Sequence, residues 1–258
     1  MKSYKENWKK IYQGAKDAGK GDQILIENFG ETLSGEYSIE ELMEMAIADR
    51  VDGIIVQDVG VIRSLSKAYP DLPLHGSTQM SVCSTYGAEF LKNLGMTRFV
   101  PARELSLNEI KSIKEAVDIE IETFVHGAMC FCYSGKCLMS SFAGGRSGNR
   151  GRCAQPCRKA YNSKQFNHEY ALSMKDMCTL ASLPQLIEAG IDSFKIEGRM
   201  KKPEYVAATV HAYSEITDEC INGHLNEKRI AYHTDRLMDI YNRGGFSSGY
   251  YYMKNGKE

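Results

Sequence analysis

Between about residues 24 and 215 of this 258-residue chain, short apolar runs alternate with stretches whose apolar positions recur every three or four residues. The runs read as strands and the spaced stretches as amphipathic helices. Strands are expected over 24–27, 53–57, 73–75, 98–100, 119–125, 170–172 and 193–196. Helices are expected over 38–48, 61–69, 85–94, 107–116, 183–189 and 204–215. Ser38-Ile-Glu-Glu and Ser106-Leu-Asn-Glu read as helix N-caps, the second with Glu109 at capping-box spacing. This alternation predicts repeated βα units and about seven strands of parallel type, one short of a closed eight-stranded barrel. The expected fold class is therefore α/β: a TIM-barrel-like (β/α) domain, incomplete, occupying residues 1–258 as one domain, with a doubly wound sheet as the alternative. In a barrel the polar residues directly after the strands gather at one face. Here those are Asn28, Gln57, Asp58, Ser77, Gln79, Arg103, Glu104, His126, Lys175, Asp176, Glu197 and Arg199.

One region breaks the pattern. Residues 129–167 show neither strand nor helix periodicity and are far longer than an ordinary connection. Gly135, Gly144, Gly145, Gly148 and Gly151 allow tight turns there. Cys130, Cys137, Cys153 and Cys157 punctuate the segment with the spacing C-x6-C-x15-C-x3-C. Four thiolates so placed suit one tetrahedral zinc or one iron–sulfur cluster. Structural zinc sites pair cysteines two to four residues apart, a rule that only Cys153 and Cys157 meet. Clusters are larger and tolerate wider spacing, so the pattern favours a cluster over zinc, with unrelated thiols as a third reading. Cys132 stands next but one to Cys130 and could replace it as a ligand. Cys83, Cys178 and Cys220 read as small buried hydrophobes.

Charge sharpens the picture. The chain carries 32 Lys and Arg against 33 Asp and Glu, a formal −1. From Cys130 to Lys164 there is no carboxylate but there are seven cations: Lys136, Arg146, Arg150, Arg152, Arg158, Lys159 and Lys164. The rest of the chain therefore carries −8. A four-thiolate cluster holds only about two negative charges in its common oxidised state, so the loop has cations left for another anion. Tyr133, Phe142, Tyr161 and Phe166 lie among them, and cations with aromatic rings are how single-stranded RNA is often held. A near-neutral chain excludes a globally basic nucleic-acid binder but not a local basic face. The first residues lack a signal-peptide core, and no stretch approaches the roughly 20 apolar residues of a membrane helix. The expectation is a cytoplasmic protein with reduced cysteines.

A rival chemistry is nucleophilic. His126 lies four residues before Cys130, and a Cys–His pair can cut peptide bonds, although such partners normally lie far apart in sequence. Asp176, Glu104 and Glu197 are candidate general bases.

The residues also resemble a known family. Glu122-x-Phe124-x-x-Gly127-Ala128-Met129-Cys130-x4-Gly135-x-Cys137-x-Met139-Ser140 is similar to the signature of the collagenase-like peptidase family U32. The blocks beginning at Gly53, His75, Pro101, Ser147 and Ser193 resemble its other blocks, so the likeness runs from about Val51 to Tyr252. The family name records a peptidase activity. Other members are RNA-modifying or quinone-pathway hydroxylation factors with a four-iron cluster, and its tRNA branch is implicated in wobble 5-hydroxyuridine formation supported by prephenate. The resemblance therefore implies a [4Fe-4S] cluster on Cys130, Cys137, Cys153 and Cys157, and it favours the barrel. It makes RNA the expected substrate, contacted by Arg146, Arg150, Arg152 and Arg158, with His126, Gln79, Arg103, Asp176 and Glu197 lining the site. The family's usual first two strands are not visible, so the barrel is expected to be open, closed by a partner or a second copy. A collagenase-like peptidase with zinc or free thiols is the alternative.

Overall fold

A computed structural model describes residues 51–134, 136–148, 152–162, 164, 169–198 and 201–253. The strand expected over 24–27, the helix over 38–48, its Ser38 cap, and Asn28, Arg150, Phe166 and Arg199 lie outside the described residues.

β1 (Ile54–Val56), β2 (Leu74–Gly76), β3 (Arg98–Phe99) and β4 (Glu120–Gly127) form a parallel series in sequence order. Each is separated from the next by a helix: α1 (Val59–Ala68), α2 (Thr85–Asn93) and α3 (Leu107–Ala116). These are the expected βα units. Each helix opens on a side-chain oxygen that satisfies an orphan N–H: Asp58 for α1, Ser84 for α2, and Ser106 with Glu109 in a reciprocal capping box for α3. Each buries an i, i+3 pair, Ile62 with Leu65, Ala88 with Leu91, and Ile110 with Ile113, as one helical face against a sheet requires.

β4 is the axis of the sheet. All of its residues after Glu120 are buried, the mark of a strand covered on both faces. Its first residues pair with β3 and its last with β5 (Asp176–Cys178). β6 (Ser193–Ile196) pairs parallel along it from Glu122 to His126. Between these elements lie α4 (Met139–Gly144) inside the cysteine loop and α5 (Leu183–Glu188). After β6 come α6 (Pro203–Ile221), α7 (Glu227–Ile240) and β7 (Phe246–Ser247), which pairs with β5.

Four expectations are corrected. Residues 170–172 form a turn, and the strand of that region is β5. It runs antiparallel to β4, so the seven-stranded sheet is mixed and not all parallel. The strand order among the described residues is an open path with β6 branching from β4. The loop over 129–167 contains a helical turn and a half in α4, and α7 was absent from the expected helices. Its sequence, Glu-Lys-Arg-Ile-Ala-Tyr-His-Thr-Asp-Arg-Leu-Met-Asp-Ile, is dominated by charge and buries only His233 and Leu237, which blurs the apolar period. Among the described residues no helix is long and apolar enough to cross a membrane.

One charged group sits inside the apolar sheet. Glu122 is buried between Lys195 (3.1 Å) and Arg98 (3.6 Å), and Ser193 Oγ donates to it at 3.0 Å. Burial pushes the Glu122 carboxyl up and the Lys195 amine down to about 7. A buried charge persists only when paired in this way.

Candidate functional site

The sequence leaves β4 through a glycine for a steric reason. Gly127 has φ +106°, and a Cβ there would collide with the Glu197 carbonyl. One step earlier the β4–β6 register slips between Phe124 and His126, an irregularity of the kind that re-aims a side chain. The chain then enters the cysteine loop, which is anchored at three polar points. Buried Ser134 donates through N and Oγ to Glu104 (3.0 and 2.6 Å) and accepts from Arg103 N–H. Buried Ser140 accepts from Ala154 N–H at 2.7 Å. Arg158 donates to Met129 O (2.6 Å), Ser173 Oγ (2.8 Å) and Met174 O.

Around these anchors the cysteines approach one another. Cys130, Cys137 and Cys157 are half-buried and Cys153 is exposed. Burial pushes the Cys157 thiol up, Arg158 draws it down, and Cys130, Cys153 and Cys137 each push it up again. Cys130, Cys153 and Cys137 thus each act on Cys157 electrostatically. Cys132 is hydrogen-bonded to Cys137, and burial, then Cys137 and Cys130, push its thiol up. Gln155, in the left-handed conformation (φ 53°), turns the chain between Cys153 and Cys157 and donates its N–H to Cys153 Sγ at 3.3 Å. Among the described residues no three His, Cys, Asp or Glu side chains close around a single metal-ion position. The expectation of buried, inert thiols holds in part: Cys178 and Cys220 pack against the core, whereas Cys83 is exposed.

The loop's cations take different places. Arg146 and Arg152 are exposed and joined by Arg146 Nε to Arg152 O at 2.9 Å. Arg158, expected at the RNA, gives NH1 and NH2 to protein acceptors and braces the loop. Phe142 on α4 is 87% exposed and Tyr133 is exposed, whereas Tyr161 Oη is tied to Pro156 O.

At the adjoining end of the sheet, His126, Asp176 and Glu197 are brought together. His126 is 1% exposed, ringed by Tyr205, Tyr213 and Phe246 at 5.3–5.9 Å, with Nδ1 3.4 Å from Tyr213 Oη. Burial, then Lys201, pulls its pKa down to about 4, so the ring is neutral at physiological pH. Its carbonyl accepts from Glu197 N–H, and Glu197 O accepts from Tyr205 Oη. Asp176, 2% exposed, has a buried Oδ1 without a hydrogen-bond partner. Burial pushes its carboxyl up, opposed by Arg243, Lys201 and Arg158. Arg103 lies 4.2 Å over the Phe124 ring and donates to Ala128 O, at the root of the cysteine loop. Gln79 sits half-buried in a short turn over 78–80, and among the described residues no hydrogen bond, ion pair or ring contact joins it to the other four.

Residues 23–258 match peptidase family U32. The chain belongs to that family. It is 42% identical over 192 residues to tRNA hydroxylation protein P1 of Bacillus subtilis, covering 70% of this chain and 46% of that protein. It is 44% identical over 177 residues to a 23S rRNA 5-hydroxycytidine synthase of Escherichia coli, covering 66% of this chain and 27% of that protein. It is 39% identical over 260 residues to a collagenase of Porphyromonas gingivalis, covering 94% of this chain and 70% of that protein. The chain thus spans about half or less of the length of the two hydroxylation relatives.

Sequence reasoning missed Lys201, Tyr205, Tyr241 and Arg243. Lys201 Nζ stands 3.0 Å from the centre of the Tyr241 ring, and Arg243 Nε donates to Tyr241 Oη at 2.9 Å. Burial pushes the Tyr241 phenol up, and the hydrogen bonds from Arg243 and Lys201 outweigh it, leaving it below its ordinary value. Lys201 and Arg243 flank helices, Tyr241 caps α7, and Tyr205 lies in the first turn of α6. They carry no motif, and only the fold reveals that they share one place.

Proposed function

We propose that this U32 chain is an iron–sulfur enzyme of RNA hydroxylation, acting on a pyrimidine of RNA and most specifically a tRNA wobble uridine. Cys130, Cys137, Cys153 and Cys157 would hold a [4Fe-4S] cluster, with Cys132 as a spare thiol beside it. The observation that carries this reading is four cysteines in one carboxylate-free loop that Ser134 and Arg158 hold against the sheet, with Cys130, Cys153 and Cys137 each acting on Cys157 electrostatically. Ligands sharing one zinc at about 2.3 Å stand only about 3.8 Å apart. A four-iron cluster separates its thiolates further, which suits the wide spacing of Cys130 and Cys137. Bound there, the cluster would supply one-electron chemistry.

The remaining residues have roles that need no cluster. Arg158 fixes the backbone on both sides of the site, at Met129 and Met174. His126, held neutral, can accept a proton but carries no charge to attract an anion. Exposed Arg146 and Arg152, with Phe142, offer phosphate and stacking contacts to RNA. Two relatives bear names of RNA hydroxylation proteins, which supports RNA as substrate. Prephenate as the hydroxyl donor, a cytoplasmic location, and a partial barrel closed by a partner or second copy belong to the same proposal.

The collagenase relative keeps a second reading in view. Against it, the His126 ring faces Tyr213, Tyr205 and Phe246, and no described contact pairs it with Cys130. The two readings separate in a strain lacking this gene. Loss of a hydroxylated pyrimidine from digested RNA, with gelatin cleavage unchanged, supports the first. Unchanged RNA nucleosides with lost gelatin cleavage overturn it in favour of the peptidase.

A further inference from the structure

Beside the cysteine loop, four separate segments converge on one carboxylate. Asp176 opens β5, Arg158 follows Cys157, Lys201 precedes α6 and Arg243 follows α7. All three cations act on Asp176 electrostatically, yet no ion pair among the described residues joins any of them to it. Its Oδ1 stays buried and unpartnered, a costly condition unless something donates to it. The cations are held in place from elsewhere. Arg158 is braced on Met129, Ser173 and Met174; Arg243 reaches Tyr241 Oη and, at 3.4 Å, Gln155 Oε1; Lys201 lies over the Tyr241 ring. Three cations against the carboxylates of Asp176 and nearby Glu197 leave a local excess of positive charge beside the thiols.

We propose that Arg158, Lys201 and Arg243, arranged over the buried carboxylate of Asp176, seat one nucleotide of an RNA strand. Phosphate oxygens meet Lys201 and Arg243, Arg158 adds its charge while its NH1 and NH2 stay on protein acceptors, and an N–H of the base or the ribose hydroxyl donates to Asp176 Oδ1. A bare anion satisfies only half of this site, because Asp176 repels it. The ligand must carry negative charge and a donor within a few ångströms of each other, and a nucleotide does. Tyr241, 37% exposed at the rim, offers a ring at the same place. Gln155 and Arg158 flank Cys157, so the seated nucleotide lies next to the proposed cluster. This assignment rests on the RNA reading and gives that reading a specific pocket.

The test is fluorescence-anisotropy titration of a short single-stranded RNA with the anaerobically purified full chain, across a range of salt. Wild type is compared with Lys201→Ala, Arg243→Ala, Arg243→Lys and Asp176→Asn, each checked for an unchanged thermal melt. Loss of a phosphate contact lowers the slope of log affinity against log salt by about 0.7 for single strands. Lys201→Ala and Arg243→Ala each weaken binding about tenfold and lower that slope, and Arg243→Lys restores most of it. Asp176→Asn weakens binding several-fold without changing the slope, since it removes an acceptor and no cation. Uridine monophosphate competes more strongly than inorganic phosphate or uridine. Unchanged slopes in both cation variants, with RNA still bound, overturn the pocket and leave the RNA reading standing. An absence of RNA binding by wild type overturns both. Tighter binding by Asp176→Asn, with inorganic phosphate competing as well as the nucleotide, overturns the nucleotide in favour of a simple anion site. Should Asp176→Asn fail to fold, the two cation variants decide.

Discussion

In the sheet, Phe99, Ile121 and Val125 are closed off from water, and β4 at its centre is buried on both faces. In the cysteine loop, Phe131, Leu138 and Phe142 face outward, and the segment is held at three polar anchors, Ser134, Ser140 and Arg158. The first region needs nothing but its own burial. The second carries its aromatic and cationic groups where a ligand could meet them, and its geometry depends on a few directional bonds. Stability and function therefore respond to different substitutions.

The largest expected contrast compares two phenylalanines. Phe99→Ala lowers stability by about 4 kcal/mol in urea unfolding, whereas Phe142→Ala changes it by less than about 0.5 kcal/mol. A comparable loss at Phe142 would show that the loop packs on something and would break the comparison. Acid separates the regions next. His126 takes up a proton near its ordinary 6.5 when unfolded but only near 4 when folded. Above pH 6.5 both states are neutral. As pH falls from 6.5 to about 4 the unfolded state binds a proton that the native state refuses, and up to about 3 kcal/mol is lost. His126→Phe should flatten this limb of a pH–stability profile, and an unchanged limb would remove His126 as its cause.

Two arginines sharpen the comparison within the loop. Arg158→Ala, which strips donors from Met129 and Met174, should cost about 2 kcal/mol, while exposed Arg146→Ala stays within about 0.5 kcal/mol. Equal values would mean that Arg158 is not a brace. The smallest effect belongs to the sheet side: Ser106→Ala, which breaks the α3 capping box, should cost about 1 kcal/mol by thermal melt.

What the sequence revealed divides along the same line. β1 to β4 and α1 to α3 were legible because burial on one or two faces writes a period into the residues, and because Asp58, Ser84 and Ser106 mark where helices begin. β5 was misplaced because the short run Tyr170-Ala-Leu looks more strand-like than Asp-Met-Cys, and its antiparallel direction depends on where the preceding loop returns the chain. α7 was hidden by its charge. In the site, the cysteines announced themselves through spacing, and His126 and Glu197 through their places at strand ends, whereas Asp176 was singled out as following a strand over 170–172 and instead opens β5. Lys201, Tyr241 and Arg243 could not be found this way. Their proximity comes from two chain segments, one before α6 and one after α7, that meet near Asp176, and no local pattern records such a meeting.

The central claim is that four thiols serve one inorganic centre, and metal and sulfide analysis of anaerobically purified protein tests it most directly. The wild type should be brown, with iron and acid-labile sulfide in equal amounts. Cys130→Ala, Cys137→Ala, Cys153→Ala and Cys157→Ala should each lose both, and Cys132→Ala should keep them. Stoichiometric zinc in a colourless protein, or iron and sulfide that survive in all four variants, would contradict the account.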